Sequence, residues 1–206
     1  MMEKGTLRRV ILVTDGDQIA RKAIEEATRN IGGRCISASA GNPTPVTGAR
    51  IVKLIKEAKY DPVVVMFDDR GSSEKGKGEQ ALEYVAKHPD IEVMGVLAVA
   101  SNTEYIDGVH VDISVTKRKE VVEGQVDKSG NMISPEMIVL GDTVDVINEI
   151  KDQIPIVVGI GDIGKMDGKD NPIAGAQVTS KALKIIIDHW QSEHIDGENL
   201  TKEDNF

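Results

Sequence analysis

Three apolar stretches of this chain end in the same way. Arg9-Val10-Ile11-Leu12-Val13-Thr14 runs into Asp15-Gly16-Asp17, Val63-Val64-Val65-Met66-Phe67 into Asp68-Asp69-Arg70-Gly71, and Pro155-Ile156-Val157-Val158-Gly159-Ile160 into Gly161-Asp162. Continuous apolar runs of this length suit strands buried on both faces of a parallel sheet. In such sheets ligands bind beyond the carboxyl ends of the strands. If the three strands are neighbours, their acids gather on one rim. Asp15, Asp17, Asp68 and Asp69 are the candidate metal ligands there, because a hard cation such as Mg²⁺ or Ca²⁺ takes carboxylate oxygens and water. The competing reading of the same residues is turn and helix-cap chemistry, for which Asp is well suited. Adjacent carboxylates on a strand point to opposite faces, so Asp68 and Asp69 are not expected to grip one ion together.

Other motifs carry less chemistry. Gly159-Ile160-Gly161-Asp162-Ile163-Gly164 fits G-x-G-x-x-G after a predicted strand. A dinucleotide site also requires an immediate helix and a further strand bearing an acid. Here 165–172 reads as loop and no strand follows, so a glycine-rich turn is expected. Gly71-Ser72-Ser73-Glu74-Lys75-Gly76-Lys77-Gly78 approaches a phosphate loop, but Gly78 replaces the Mg²⁺-holding Ser/Thr. Asp68, Asp69 and Glu74 would also repel a phosphate. The histidines lack metal-ligand spacing, and no serine stands in a nucleophile elbow. No catalytic residue is assigned.

The elements that must position the acids follow from periodicity. A strand at 9–14 precedes a helix whose apolar positions recur from Ile19 to Ile31, with Asp17 as N-cap and Gly32-Gly33 as the stop. A second strand is expected at 34–40, then the turn Gly41-Asn42-Pro43-Thr44-Pro45 and a helix over 47–60. The strand at 63–67 leads through a mobile glycine-rich loop, 71–78, to a helix over 79–88 and a strand over 93–100. Alternating strands and helices with short connections define a doubly wound, mostly parallel α/β sheet of Rossmann-like type. Beyond it, 109–115 alternates like a half-exposed strand. The segments 121–126 and 132–133 flank Asp127-Lys128-Ser129-Gly130, a hairpin signal. This β-hairpin insertion, about 109–134, is placed at the sheet edge or over the rim. A helix over 143–151, a strand over 155–160, a polar loop over 161–172 and a helix over 173–190 complete one domain, 1–191. An acidic flexible tail, 192–206, is expected after it.

The composition removes several classes of function. Of 206 residues, 40% are hydrophobic and 29% charged, the profile of a soluble globular protein. A net charge of -9 and 3% aromatic residues argue against nucleic acid or anionic lipid as a broad partner. Cys35, the single cysteine, makes no internal disulfide, which fits a reducing compartment and a small buried side chain. Neither a signal peptide nor a membrane span is expected. The localisation this implies is cytoplasmic.

Several known designs share the acid rim. A receiver domain has an acid pair after its first strand and an acceptor Asp after its third. It also has a lysine after its last strand, where the candidate here is Lys165, beyond a much later strand. Thr14-Asp15-Gly16-Asp17 and Phe67-Asp68-Asp69-Arg70-Gly71 are similar to the acid motifs of Toprim domains over roughly residues 7–101, with Asp in place of the usual Glu and an adjacent acid pair. Taken whole, the chain resembles the stage V sporulation protein AE family of endospore-forming bacteria, in its AE1-type form. Ala38-Ser39-Ala40-Gly41-Asn42-Pro43-Thr44-Pro45, Gly141-Asp142-Thr143-Val144-Asp145 and Val158-Gly159-Ile160-Gly161-Asp162-Ile163-Gly164-Lys165-Met166 carry the resemblance together with the two acid motifs. It implies membership of the SpoVA group, which serves dipicolinic acid movement across the spore inner membrane in sporulation and germination. It also implies other SpoVA-group proteins as partners, and leaves a homo-oligomer open. No active site is carried over by it. A Toprim-like metal-dependent phosphotransfer or nuclease enzyme, or a regulatory module that binds a cation or small ligand, is the alternative.

Overall fold

A computed structural model describes residues 6–69, 76–101, 108–140 and 145–203. Arg70, most of the glycine-rich exit loop (71–75), Asn102 and the stretch 141–144 lie outside the described residues. In chain order the elements are β1 (Arg8–Val13), α1 (Gln18–Asn30), β2 (Arg34–Cys35), α2 (Gly48–Glu57), β3 (Val63–Met66), α3 (Lys77–Ala86) and β4 (Ile91–Val99). They are followed by β5 (Val109–His110), β6 (Ile113–Val115), β7 (Val121–Val122), β8 (Gln125–Val126), β9 (Met132–Ser134) and β10 (Ile138–Val139). The chain closes with α4 (Asp145–Glu149), β11 (Val157–Ile160) and α5 (Gln177–Glu203).

The principal sheet runs β2-β3-β1-β4-β11-β6-β7. Every neighbouring pair in it is parallel except β6 with β7. α1 packs against α5 on one face, and α2 against α3 on the other. The apolar runs that looked two-sided are so. Val10, Leu12, Val63, Val65 and Phe67 face α2 and α3, while Ile11, Val13, Val64 and Met66 face α1 and α5. All of these are fully buried, each contributing about 1.5–3 kcal/mol of transfer free energy. The helices answer with matching stripes: Ala20, Ala23, Ile24 and Ala27 on α1, Ile51 and Ile55 on α2, Leu82 and Val85 on α3. The doubly wound, mostly parallel α/β architecture is therefore the observed one.

Three local readings change. The second strand stops at Cys35, and Ser37–Ser39 forms a 3₁₀ turn. The Ser39 hydroxyl donates to the Ile36 carbonyl (2.9 Å) and accepts the Met66 N–H (3.0 Å), so a side chain takes over a ladder position. The segment 109–115 divides: β5 pairs with β10, whereas β6 joins the principal sheet beside β11. The last helix starts later than its apolar pattern. Gly175 (φ 93°) and Ala176 (φ 42°) are left-handed, and α5 begins only at Gln177, continuing through the acidic stretch to Glu203.

The hairpin forms as the turn residues require, with β8 antiparallel to β9. Gly130 (φ 75°) donates its N–H to the Asp127 carbonyl (2.9 Å). The Asp127 carboxylate accepts the Asn131 N–H (2.8 Å). The tip then folds over the carboxyl rim of the sheet. Asp162 donates its N–H to the Lys128 carbonyl (2.8 Å), and Lys117 donates to the Gly130 carbonyl (2.7 Å). Only glycine fits at position 161, where a Cβ would stand 2.6 Å from the Gly130 nitrogen.

Candidate functional site

Strand order puts β1 between β3 and β4, with β11 next to β4, so three of the acid-bearing strand ends share one rim. Between them lies a crevice of about 190 Å³, lined among others by Asp15, Asp17, Asn42, Asp68, Ser101, Lys128, Asp162 and Lys165. The turn after β1 packs directly on the end of β3, since a Cβ on Gly16 would stand 3.2 Å from that of Asp68. The 41–45 turn closes this side. Thr44 donates its N–H to the Asp68 carbonyl (2.9 Å), and its hydroxyl accepts the Asp68 N–H (2.9 Å).

The four candidate ligands separate into different roles. Asp17 caps α1, one oxygen accepting the Ile19 and Ala20 N–H groups at 2.7 and 2.8 Å. Its other oxygen meets the Lys165 ammonium at 3.0 Å. Asp69 turns away from the crevice and caps α3, accepting the Gly78 N–H (2.9 Å) and the Glu79 N–H (2.7 Å). Gly78 has no room for a side chain, because a Cβ there would lie 2.4 Å from the Asp68 carbonyl oxygen. Asp15 and Asp68 remain on the crevice wall. The opposed directions expected for Asp68 and Asp69 are thus the arrangement found. Among the described residues no three acidic, histidine or cysteine side chains come together closely enough to hold a metal ion.

Three residues that were not among the four complete the site: Asp162, Lys165 and Lys128. Lys165, after β11, bridges Asp17 and Asp162 at 3.0 Å each, and Lys128 at the hairpin tip stands 3.7 Å from Asp162. Burial disfavours the Lys165 charge, but bonds to Asp162 and Asp17 outweigh it and raise its pKa. Burial also opposes ionisation of Asp17; the Ala20 N–H, Lys165 and the Ile19 N–H together overcome it and lower that pKa. Asp15 is the exception. Burial pushes its carboxyl up to about 7, the nearby charges of Asp17 and Asp162 add to the rise, and a bond from the Asp17 N–H opposes it. That bond is long, at 3.2 Å. Asp162 had a signal in the sequence, the third strand ending in Asp. Lys165 had only its position after that strand, and Lys128 had none, because the hairpin's landing place depends on the tertiary fold.

Elsewhere the motifs are structural. The 159–164 glycines lead into 3₁₀ turns at Met166–Gly168 and Pro172–Ala174 rather than a helix. The Cys35 thiol is buried and pushed up to about 12 by that burial, so it is inert as a nucleophile.

A doubly wound α/β protein with a lysine-bridged acidic crevice at its carboxyl rim is the class that fold and site define. The sequence profile of stage V sporulation protein AE1 matches residues 9–189, and the chain belongs to that family. Its function is accordingly one in sporulation. Comparison with curated proteins finds no match. Among solved structures the chain is similar to a de novo designed protein of the P-loop 2x3 fold, at 12% identity and a TM-score of 0.41, over 89% of this chain and 96% of that one.

Proposed function

We propose that this family member is an accessory protein of the SpoVA group, acting by protein contact at the spore inner membrane in the system that moves dipicolinic acid. One observation carries the reading. Of the eleven large apolar side chains left exposed among the described residues, five (Val121, Met132, Ile133, Ile138 and Leu140) come from the short stretch 121–140. Exposed apolar side chains concentrated in one stretch of a chain make that stretch the first candidate for an interaction surface. Asp17 and Asp69 are meanwhile occupied as helix caps and Asp162 by lysines, which favours contact over catalysis. Among the described residues no helix is long and apolar enough to cross a membrane, so attachment there would run through such a contact.

Ile133 is 58% exposed, so Ile133→Glu is expected to change stability by less than about 0.5 kcal/mol. Its capture of SpoVA-group membrane proteins from detergent-solubilised spore membranes should fall at least about tenfold, as for a central interface residue. Capture that is unchanged in the variant, or wild-type capture that returns no SpoVA-group protein, overturns the reading. A wild-type dimer that the variant dissociates would assign the same surface to self-association.

A second reading, favoured by the surplus of carboxylates over lysines in the crevice, gives that site to Mg²⁺ or Ca²⁺ as a regulator. A cation that prefers the folded state stabilises it by about 2.7 kcal/mol at 100 times its Kd. Thermal unfolding with millimolar Mg²⁺ or Ca²⁺ should then shift upward in the wild type and not in Asp68→Asn. An absent shift in the wild type removes this reading and leaves the first untouched.

A further inference from the structure

At the amino-terminal ends of β1 and β4, opposite the crevice, the 190–194 stretch of α5 is held by a compact group of side chains. Trp190, the single tryptophan, places its indole 5.0 Å from the Arg9 guanidinium. His194 stacks on the indole, with ring centroids 3.8 Å apart and planes at 23°. Glu92 of β4 ties both down: its Oε1 accepts the Trp190 Nε1–H at 3.3 Å and lies 3.1 Å from His194 Nε2. The other ring nitrogen, His194 Nδ1, lies 2.8 Å from the Trp190 carbonyl oxygen.

Both nitrogens of His194 therefore face oxygens that only accept. A neutral imidazole carries one N–H and one lone pair, so it satisfies one of these contacts and sets a lone pair against the other. The imidazolium donates to both. Its charge also meets the Glu92 carboxylate and lies over the electron-rich indole face.

We propose that His194, Trp190 and Glu92 form a proton-operated latch that fastens the 190–194 stretch of α5 to the amino-terminal end of β4. Among the described residues the charged groups around it are few. Glu92 comes from β4, and Arg9 from β1 is itself tied to Asp61 before β3. On α5, His189 faces Glu193 at 3.4 Å. Arg9 opposes a second positive charge at the indole, but Asp61 bonds its Nε and offsets it. Glu92 alone bonds His194 Nε2. Histidine is the side chain whose charge changes near neutrality, so acidification closes the latch and alkalinisation loosens α5 around residues 188–196. The latch is independent of the contact surface at 121–140 and of the crevice.

Amide hydrogen exchange of residues 188–196 at pH 6 and pH 8, corrected for intrinsic rates, reads the latch directly. The wild type is expected to be about two- to fivefold more protected at pH 6, the range of a half-exposed ion pair. His194→Gln and Glu92→Gln should each lose that difference, while amides in 180–186 keep their protection and report that the helix is still folded. Equal wild-type protection at the two pH values, or a difference that persists in His194→Gln, overturns the proposal.

Discussion

Replacing Asp170 by asparagine is expected to lower the free energy of unfolding by about 2–4 kcal/mol, one of the largest effects of any single polar substitution here. Asp170 is completely buried, and its two oxygens take four hydrogen bonds. One oxygen accepts the Val178 and Thr179 N–H groups at 3.0 and 2.9 Å, which are otherwise unpaired donors at the start of α5. The other accepts the Gly164 N–H (2.9 Å) and the Thr179 hydroxyl (2.6 Å). Asparagine keeps the first pair. Its amide would point at the Gly164 N–H, a donor facing a donor, and that backbone group cannot rotate away. Alanine loses all four bonds and should be worse. For a chain of this length the asparagine change corresponds to a fall in Tm of roughly 5–15 °C, measurable by thermal or urea unfolding. A loss below about 1 kcal/mol would mean that the loop is not held by this carboxylate. The effect should reach the crevice, because the loop that Asp170 ties to α5 carries Asp162 and Lys165.

That loop shows where the sequence was legible and where it was not. The central strands announced themselves, since a two-sided parallel strand has to be apolar throughout, and 10–13, 63–67 and 156–160 are. Helix starts were readable from the same chemistry: Asp17 caps α1 as its spacing indicated. The 161–172 stretch looked like a polar loop because its composition is polar. Its order comes from positive φ at Gly164, Met166, Asp167 and Gly168, which turns the chain until Asp170 meets α5 and Ile163 and Met166 are buried. None of those contacts is periodic in sequence. The crevice was half legible for the same reason. Acids at strand ends follow from strand recognition, and Asp15, Asp17 and Asp68 do share the rim. The lysines arrive from a hairpin tip and a buried loop, and their pairing with Asp162 and Asp17 depends on strand order, which the sequence left open. The adjacency of Asp68 and Asp69 did carry its own warning, and the structure separates them as strand alternation demands.

Asp15→Asn is expected to stabilise the protein at alkaline pH and leave it unchanged in acid. In the folded chain the Asp15 carboxyl titrates near 7, against 3.8 for an unperturbed aspartate. Below the lower value both folded and unfolded chains hold the proton, and the residue makes no difference. As pH rises past it the unfolded chain ionises while the folded one does not, so stability falls until the folded carboxyl ionises too, near 7. The full conversion, about 1.4 kcal/mol per unit, overstates the effect because the crevice opens to water. A loss of about 2–3 kcal/mol at pH 8 is the expected size, and asparagine should restore it. It keeps an oxygen for the Asp17 N–H and removes the charge that Asp17 and Asp162 oppose. Thermal unfolding of both proteins at pH 3 and pH 8 gives the result: curves that coincide in acid and separate in base, with the variant more stable by roughly 5–10 °C in Tm at pH 8. A variant that is less stable at pH 8 would show that Lys165 and Lys128 hold Asp15 as a carboxylate after all. The expected outcome has a meaning beyond stability. A side chain that weakens the fold at neutral pH, in a crevice at the carboxyl rim of a parallel sheet, has the physical pattern that the cation-binding reading of the crevice requires.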